Sequence, residues 1–389
     1  MSDPVVIVAA ARTPMGNFRG ELVELPATKL GSLAIKAATD RAGLSAGDIS
    51  EVLMGCVLPA GLGQAPARQA ALGAGLSEAT PCTTLNKVCG SGMKAIMLAH
   101  DSIKAGSADI LVAGGMESMS NAPYLLDKVR GGQRLGHGRM IDHMALDGLE
   151  DAYEGGKLMG SFAEDTAQHY QFTRAAQDDF ALESLRRAQA ASASGAFNAE
   201  IVPVATKSGE VRRDEGPAKA RPEKIPTLRP AFRPDGTVTA ANASSISDGA
   251  AALVLMRRSE AERRGQTPIA TLVGHASHAL APAWFSTAPI GAISKLFDRV
   301  GWEKDSVDLY EINEAFAVVP MAVMHDLGLP HDKINVHGGS CALGHPLGAS
   351  GARIVVTLLS ALQQRGGKRG IASLCLGGGE ATALAVELI

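Results

Sequence analysis

Short apolar runs alternate with helix-like segments along most of this 389-residue chain, and this alternation limits the possible folds more than any other feature. Strand-like runs at Val5–Ala10 and Glu51–Val57 flank the helix-like segment Ala27–Ala42. A second helix-like segment, Gln64–Gly75, and the apolar run Asp109–Gly115 continue the series. Alternation of this kind predicts a mostly parallel sheet covered by helices.

The C-terminal part repeats the pattern of the N-terminal part. Gly90–Gly92, a helix-like run and the strand-like Ile110–Gly115 are echoed by Ser350–Gly351, a helix-like run and Ile371–Gly379. Other strand-like runs here are Ile269–Gly274 and Leu309–Ile312. The echo predicts two similar α/β halves with an active site between them.

The middle of the chain differs from both ends in composition. It contains many glycines, the helical stretch Ala163–Ser194 and the basic, proline-bearing segment Lys207–Arg233. A charged segment is usually a solvated surface, but this one could also receive a phosphorylated ligand. We therefore expect an N-terminal half at 1–118 with 245–268, an inserted loop domain at 119–244 and a C-terminal half at 269–389.

Charge and cysteine content exclude several classes of protein. The net charge is −3, so no overall basic field indicates nucleic acid or an anionic membrane as partner. No apolar run approaches the roughly 18 residues of a membrane span, and Met1–Pro4 carries no secretory leader. The five cysteines are scattered and odd in number, which favours a reduced, cytoplasmic protein without a disulfide framework or a metal site.

Cys89 is the first candidate catalytic residue. It precedes Gly90–Gly92 and a run with apolar residues at helical spacing, so the thiol is expected at a helix N-terminus. Such a position stabilises a thiolate or an oxyanion. A free cysteine is, however, more often a buried core residue, so Cys89 needs partners.

Three other segments offer such partners. His345 lies between Gly344 and Pro346 and could take a proton from a thiol, or it could be a structural hydrogen-bonding residue. Cys375 ends an apolar strand before three glycines, where it could serve as an acid/base or as a core residue. Asn313 could cap a helix or hold a water near an oxyanion.

In combination, these motifs resemble the thiolase family along nearly the whole chain. The matching blocks are Asn86–Gly92, Gly114–Met119, Asn313–Phe316, Gly344–Gly351 and Cys375–Gly379. The resemblance implies a five-layered α-β-α-β-α fold of two similar halves with a loop domain, in a homodimer or homotetramer. It also implies a reversible Claisen reaction of acyl-CoA and CoA, with CoA and acyl-CoA as substrates and no cofactor.

The resemblance also assigns roles to individual residues. Cys89 becomes acylated, His345 activates it, and Cys375 moves the proton at the acetyl α-carbon. Asn313 holds a water at one oxyanion hole, and the N–H groups of Cys89 and Gly377 form a second. Lys219 or Arg221 takes the place of an arginine that contacts adenine. The remaining residues implied along the CoA path are Met159, Leu228, Phe232, Ala240, Ser244, Ala315 and Phe316.

The resemblance leaves several activities to weigh. Acetoacetyl-CoA formation and cleavage is the main expectation, and a broader-chain 3-ketoacyl-CoA thiolase of fatty-acid or aromatic-acid breakdown is the alternative. A ketoacyl synthase would need a second histidine in place of Asn313. A non-catalytic CoA-carrying module would not need the set Cys89, His345 and Cys375.

Overall fold

The computed structural model describes residues 3–389, so Met1 and Ser2 of the N-terminus discussed above lie outside the described residues. The strands are β1 (Val5–Arg12), β2 (Gly16–Asn17), β3 (Glu51–Gly55), β4 (Cys82–Leu85), β5 (Ile110–Ser118), β6 (Tyr124–Leu126), β7 (Met140–Asp142), β8 (Val204–Thr206), β9 (Gly209–Val211), β10 (Ser247–Arg257), β11 (Ala270–Ala279), β12 (Leu309–Ile312), β13 (Arg369–Leu376) and β14 (Glu380–Leu388). The α-helices are α1 (Ala27–Arg41), α2 (Pro66–Gly73), α3 (Ser91–Ala105), α4 (Met159–His169), α5 (Arg174–Ser194), α6 (Glu215–Lys219), α7 (Arg258–Arg263), α8 (Ala288–Val300), α9 (Val318–Leu327), α10 (Ser340–Leu343) and α11 (Leu347–Arg365).

The two halves of the chain build sheets of the same topology. In the first, β3 runs parallel to β4 and β5, and β10 lies antiparallel to both β5 and β1. In the second, β12 runs parallel to β13, and β14 lies antiparallel to both β13 and β11. A parallel bridge between Tyr310 and Ile334 takes the place that β4 has in the first sheet. The prediction of two similar halves is therefore confirmed.

A short antiparallel contact between β1 and β11 joins the two sheets, with Val6 opposite Thr271 and Ile7 opposite Ala270. The side chains of β1 alternate between two apolar cores. Val5 and Ile7 lie in the core that contains α3 and α11, and Val6 lies in the core beneath α1 and α2. A third core lies beneath α8 and α9 on the second sheet. These cores produce the five layers that the resemblance implied.

Helices α3 and α11 form the central layer and cross near their N-terminal ends. At this crossing Gly92 lies against the backbone of Gly348 and Ala352, and Gly351 lies against the backbone of Met93. Both contacts are too close for a side chain, because a Cβ added at Gly92 would lie 2.8 Å from the Ala352 nitrogen. The glycines therefore bring the starts of the two helices together.

Replacing Gly351 with alanine is expected to destabilise the protein by about 1–3 kcal/mol, the usual cost of overpacking a core. The new methyl group would lie 2.5 Å from the Met93 nitrogen and 2.8 Å from its Cβ, so the helices must separate. Urea denaturation measures the loss. Gly47→Ala, at a position with open space around the added carbon, is the control. Equal stabilities of the two variants would contradict the close packing.

The predicted elements mostly correspond to observed ones, with a clear exception in the middle of the chain. The stretch Ala163–Ser194 was expected to be one helical segment, but α4 ends at His169 and α5 begins at Arg174. The Thr173 hydroxyl oxygen accepts a hydrogen bond from the Ala176 N–H at 3.1 Å and caps α5. An N-cap threonine therefore separates two helices whose composition is continuous. None of the helices in residues 3–389 is long and apolar enough to cross a membrane.

Candidate active site

Cys89 lies on a sharp turn that leads directly into α3. The preceding residue, Val88, has a φ of +46°, a left-handed conformation that is strained for a β-branched side chain. The Asn86 side chain accepts a hydrogen bond from the Val88 N–H at 2.8 Å. The Ser91 hydroxyl donates to the Val88 carbonyl at 2.6 Å and accepts from the Lys87 N–H at 2.8 Å. These bonds hold the turn that presents the thiol.

The thiol of Cys89 lies at the junction of the two halves. It is partly accessible and packs against the central core and against an apolar cluster that includes Leu347, the first residue of α11. Burial raises the pKa of Cys89 to about 12, while the N–H groups of Gly377 and Cys89 act in the opposite direction. The N–H groups favour the thiolate, as the sequence suggested, but desolvation outweighs them and the thiol rests protonated.

His345 is held with one ring nitrogen bonded and the other unpartnered. Its Nδ1 lies 2.6 Å from the Ser350 hydroxyl, which donates its own proton to the Pro346 carbonyl at 2.9 Å. Nδ1 therefore carries the proton and donates it to Ser350, which leaves a lone pair on Nε2. Nε2 is buried and has no hydrogen-bond partner within residues 3–389. Burial and the charge of Arg353 lower the pKa of His345 to about 3, so the imidazole rests neutral.

Cys375 is the second thiol of the site. It is buried near the end of β13, and Gly377 follows it in the turn to β14. Burial raises the pKa of Cys375 well above its ordinary value, and the neighbouring Cys89 raises it further. A Cβ added at Gly377 would lie 3.5 Å from the Val88 side chain, which places this turn beside the Cys89 turn. The structure thus brings Cys89, Cys375 and Gly377 together.

Asn313 follows β12 directly and does not cap a helix, since α9 begins only at Val318. Its Oδ1 accepts a hydrogen bond from the Ser340 hydroxyl at 2.6 Å. Its Nδ2 is buried and has no partner within the described chain. The site therefore contains an unused amide donor on Asn313 and an unused acceptor on His345.

Glu117 ties the first half to the start of α11. Its buried carboxylate accepts hydrogen bonds from the N–H groups of Val57 at 2.9 Å, Leu58 at 3.1 Å and Gly348 at 2.8 Å. Burial raises the pKa of Glu117 to about 7 in spite of these bonds. The folded protein therefore keeps a proton on Glu117 at pH values where the unfolded chain has lost it.

Glu117→Gln is expected to flatten the pH dependence of the free energy of unfolding between about pH 4.5 and 7. In the wild type a raised carboxyl pKa makes stability fall as pH rises through this window, by on the order of 3 kcal/mol from Glu117. Glutamine does not titrate, so this contribution disappears. Urea denaturation at several pH values measures the free energy of unfolding of wild type and variant. The contributions of the other titrating groups cancel in the difference between the two proteins. Parallel pH profiles would contradict the raised pKa.

Five of the residues expected along the CoA path lie beside the second thiol: Met159, Phe232, Ala315 and Phe316 share an apolar cluster with Cys375, and Ser244 is hydrogen-bonded to Ala315. A Cβ added at Gly377 would lie 3.8 Å from the terminal carbon of Met159. The rings of Phe232 and Phe316 meet edge to face at 6.0 Å. The Ser244 N–H donates to the Ala315 carbonyl at 2.9 Å, which fixes the two chain segments to each other.

The other four expected CoA residues line a cavity of about 600 Å³ on the same segment of chain. They are Lys219, Arg221, Leu228 and Ala240. Lys219 pairs with Glu215 at 2.5 Å and lies 3.7 Å from Glu21, so its charge is already matched. Arg221 and Lys224 line the same cavity and make no side-chain ion pair within residues 3–389. The charges of Arg221 and Lys224 therefore remain unmatched within the described residues, unlike that of Lys219.

One cluster outside the site could hold a metal ion, although the sequence predicted no metal site. His100, Asp101 and His275 offer ligand atoms within 4.8 Å of one another. Both imidazoles already bond Asp101 Oδ1, at 3.0 Å and 2.9 Å. These hydrogen bonds account for the cluster without an ion.

The sequence did not reveal the residues that support the site. Ser340, Ser350 and Arg353 each bond a catalytic candidate or its neighbour, and all three are fully buried. The one available signal was a charged Arg353 within the small-residue run that follows His345. A charge in an otherwise apolar helix is seldom buried without a specific partner.

Comparisons with known proteins agree with this architecture. The family model described as "Thiolase, N-terminal domain" matches residues 5–259, and "Thiolase, C-terminal domain" matches residues 266–388. Acetyl-CoA acetyltransferase 2 of Arabidopsis thaliana is 53% identical, over 99% of this chain and 97% of that protein. Acetyl-CoA acetyltransferase of Schizosaccharomyces pombe is 48% identical over the full length of both. A crystal structure of a thiolase from Ascaris suum in complex with coenzyme A is 43% identical, with a TM-score of 0.95 over 99% of this chain and all of that one.

Proposed function

The chain belongs to the thiolase family of acyltransferases, and on this premise we propose that it interconverts two acetyl-CoA with acetoacetyl-CoA and CoA through an acyl-cysteine. The observation that carries the proposal is the pairing of two thiols, Cys89 and Cys375, at a site with an unpartnered His345 Nε2. One thiol suits covalent capture of an acyl group, and the second suits proton removal from carbon.

In the first half-reaction the Cys89 sulfur attacks the acetyl-CoA carbonyl while its proton moves to His345 Nε2. The oxyanion that forms is met by the N–H groups of Cys89 and Gly377. The carbon–sulfur bond to CoA then breaks, and the departing CoA thiolate takes the proton of Cys375. Acetyl-Cys89, protonated His345 and a Cys375 thiolate remain, so the two new charges are opposite in sign.

In the second half-reaction the Cys375 thiolate removes a methyl proton from a second acetyl-CoA. The enolate oxygen is stabilised by protonated His345 and by a water that Asn313 holds. The enolate carbon attacks acetyl-Cys89, acetoacetyl-CoA forms, and the released Cys89 thiolate recovers its proton from His345. All steps use side chains, backbone N–H groups and the two substrates, and we propose no cofactor.

Thiolysis of 3-oxoacyl-CoAs of increasing chain length tests the function. Purified protein is expected to cleave acetoacetyl-CoA with a kcat/KM at least about tenfold above that for 3-oxodecanoyl-CoA, since each extra methylene must find its own contacts. Relatives named acetyl-CoA acetyltransferase support this preference. Equal kcat/KM values for both substrates would assign the broader-chain activity instead. Absence of cleavage of either substrate would contradict the thiolase activity.

We propose that the chain divides into an N-terminal half at 1–118 with 245–268, a loop domain at 119–244 and a C-terminal half at 269–389. The loop domain would supply most of the contacts to CoA. Met159, Phe232 and Phe316 would enclose the pantetheine arm, with Leu228, Ala240, Ser244 and Ala315 along the path. Arg221 with Lys224 would meet the phosphates, and Lys219 would keep its ion pairs.

Arg221→Ala is expected to raise the KM for CoA about tenfold, with a smaller change in kcat, because charged hydrogen bonds to phosphate contribute roughly 1.5–3 kcal/mol. Initial rates at varied CoA concentration measure the effect. Lys219→Ala serves as the matched control and is expected to leave this KM nearly unchanged. The reverse ranking of the two variants would refute the assignment.

We also propose a homodimer or homotetramer in a reducing compartment, the cytoplasm. Exposed apolar side chains gather on and around the β6–β7 hairpin, where Leu135 is 100% exposed and Met140 66%. A surface of this kind usually meets a partner. The five cysteines are all free, which suits a reducing compartment. Sedimentation of the wild type and of Leu135→Ser with Met140→Ser tests whether the hairpin holds copies together.

A further inference from the structure

Ser340 lies between the amide of Asn313 and the guanidinium of Arg353. Its hydroxyl donates to Asn313 Oδ1 at 2.6 Å and accepts from an Arg353 Nη2 at 3.0 Å. Ser340 and Arg353 are fully buried, and Asn313 is 1% exposed. The three side chains thus form a chain of two hydrogen bonds that ends at the active-site amide.

The direction of these bonds follows from the chemistry of arginine. A guanidinium carries only donors, so the Ser340 oxygen must act as an acceptor toward Arg353. The single hydroxyl proton of Ser340 is then available for Asn313, and the Asn313 atom that faces it must be the acceptor Oδ1. If the amide turned its NH₂ group toward Ser340, the buried hydroxyl proton of Ser340 would lose the acceptor that Oδ1 provides. The observed orientation keeps that acceptor and leaves Nδ2 without a partner within residues 3–389.

We propose that Ser340 and Arg353 are positioning residues that fix the orientation of the Asn313 amide for the enolate step. This inference rests on the proposed thiolase function. It adds to that function two residues that act only through Asn313.

The backbone around Ser340 is held firmly enough for such a role. The Gly339 N–H donates to the Ser184 hydroxyl at 2.9 Å, and the Cys341 N–H donates to the Glu314 carboxylate at 3.1 Å. Ser184 and Glu314 bond each other at 2.7 Å. Arg353 also lies 3.5 Å from the buried carboxyl group of Glu311, whose pKa burial raises to about 8 in spite of the nearby guanidinium. Ser340 therefore has little freedom to follow Asn313 if the amide turns.

The two half-reactions separate a positioning role from a structural one. Asn313 acts on the enolate oxygen, whereas acylation of Cys89 uses the N–H groups of Cys89 and Gly377. Loss of the Ser340 hydroxyl should therefore slow exchange of acetyl-CoA methyl protons with solvent and leave acylation of Cys89 intact. General loss of structure would slow both.

The test compares Ser340→Ala with Ser32→Ala, which removes another buried hydroxyl, bonded to the Thr28 carbonyl on the remote helix α1. Deuterium exchange into acetyl-CoA is followed by mass spectrometry, and single-turnover acylation of Cys89 by rapid quench. In Ser340→Ala we expect at least a tenfold loss of exchange with acylation within twofold of wild type. Unchanged exchange, or an equal loss of both rates, would overturn the inference.

Two further variants keep the test decisive if Ser340→Ala folds poorly. Arg353→Lys retains a donor-only group and is expected to keep most of the exchange rate. Arg353→Met is expected to lose most of the exchange rate, while both variants acylate Cys89 at comparable rates. Equal exchange in the lysine and methionine variants would also overturn the inference. A wild-type enzyme that neither exchanges methyl protons nor acylates Cys89 would instead refute the proposed function.

Discussion

Cys89→Ser is expected to lower the rate of acetoacetyl-CoA thiolysis by at least about 10³-fold, a loss typical of replacing a catalytic nucleophile. A serine hydroxyl holds its proton far more tightly than a thiol. The site offers no compensation, because burial already raises the pKa of the Cys89 thiol to about 12. The neutral His345, whose pKa burial lowers to about 3, is too weak a base to generate an alkoxide. Steady-state thiolysis measures the loss.

Mass spectrometry of the protein after brief exposure to acetyl-CoA identifies the acylated residue. An added acetyl group is expected on the peptide that contains Cys89 and is expected to be absent in Cys89→Ser. Cys82→Ser is the matched control, since Cys82 is a partly accessible thiol on the sheet-edge strand β4. Thiolysis by Cys89→Ser at the wild-type rate would disprove the nucleophile assignment.

Cys375→Ser is expected to slow the exchange of acetyl-CoA methyl protons with deuterated solvent by about 10²–10⁴-fold, the usual contribution of a positioned acid/base. A serine cannot become the anionic base that the second half-reaction needs, and the buried position makes an alkoxide still less favourable. Acylation of Cys89 is expected to survive at a reduced rate, because Cys89 and His345 remain and the departing CoA thiolate can take its proton from solvent instead of from Cys375. NMR of the acetyl methyl group follows the exchange.

Cys56→Ser provides the matched control for Cys375, because Cys56 is a buried thiol that bonds Glu117 rather than the reacting thiols. Its exchange rate is expected to remain near that of the wild type. If Cys375→Ser exchanged methyl protons at the wild-type rate, another group would have to be the base.

Much of the fold could be predicted from local patterns, because the strands are apolar runs bounded by turn residues. The strand Leu309–Ile312 has the bounds that the sequence indicated. The ends of helices were harder to predict from the sequence. The helix behind Cys89 extends from Ser91 to Ala105, beyond the apolar residues that signalled it, because its glycine-rich start packs against α11. That contact joins residues far apart in the chain, and no local pattern contains it.

The residues of the candidate site likewise fall into those that local sequence motifs indicate and those that depend on contacts between distant parts of the chain. Cys89, His345 and Cys375 stand in glycine-rich motifs that the sequence displays. The structure packs the start of α3, after Cys89, against the start of α11, after His345, and places the Gly377 turn beside Val88. The roles of Ser340 and Arg353 depend on contacts across 27 and 13 residues of chain. The protonation state of Cys89 could not be predicted from the sequence for a related reason, since its burial depends on side chains from both halves of the molecule.

The matching topology of the two halves has a consequence for the origin of the oxyanion pocket. Gly55 at the end of β3 lies opposite Gly115, and Ile312 at the end of β12 lies opposite Ser373. Two residues further along, Glu117 and Cys375 therefore hold equivalent positions. In the first half, the carboxyl group of Glu117 at this position accepts three N–H groups, whereas in the second half the position is occupied by the thiol of Cys375. Glu117 thus supplies from within the chain the acceptor oxygens that, under the proposed function, a substrate would bring to the position of Cys375.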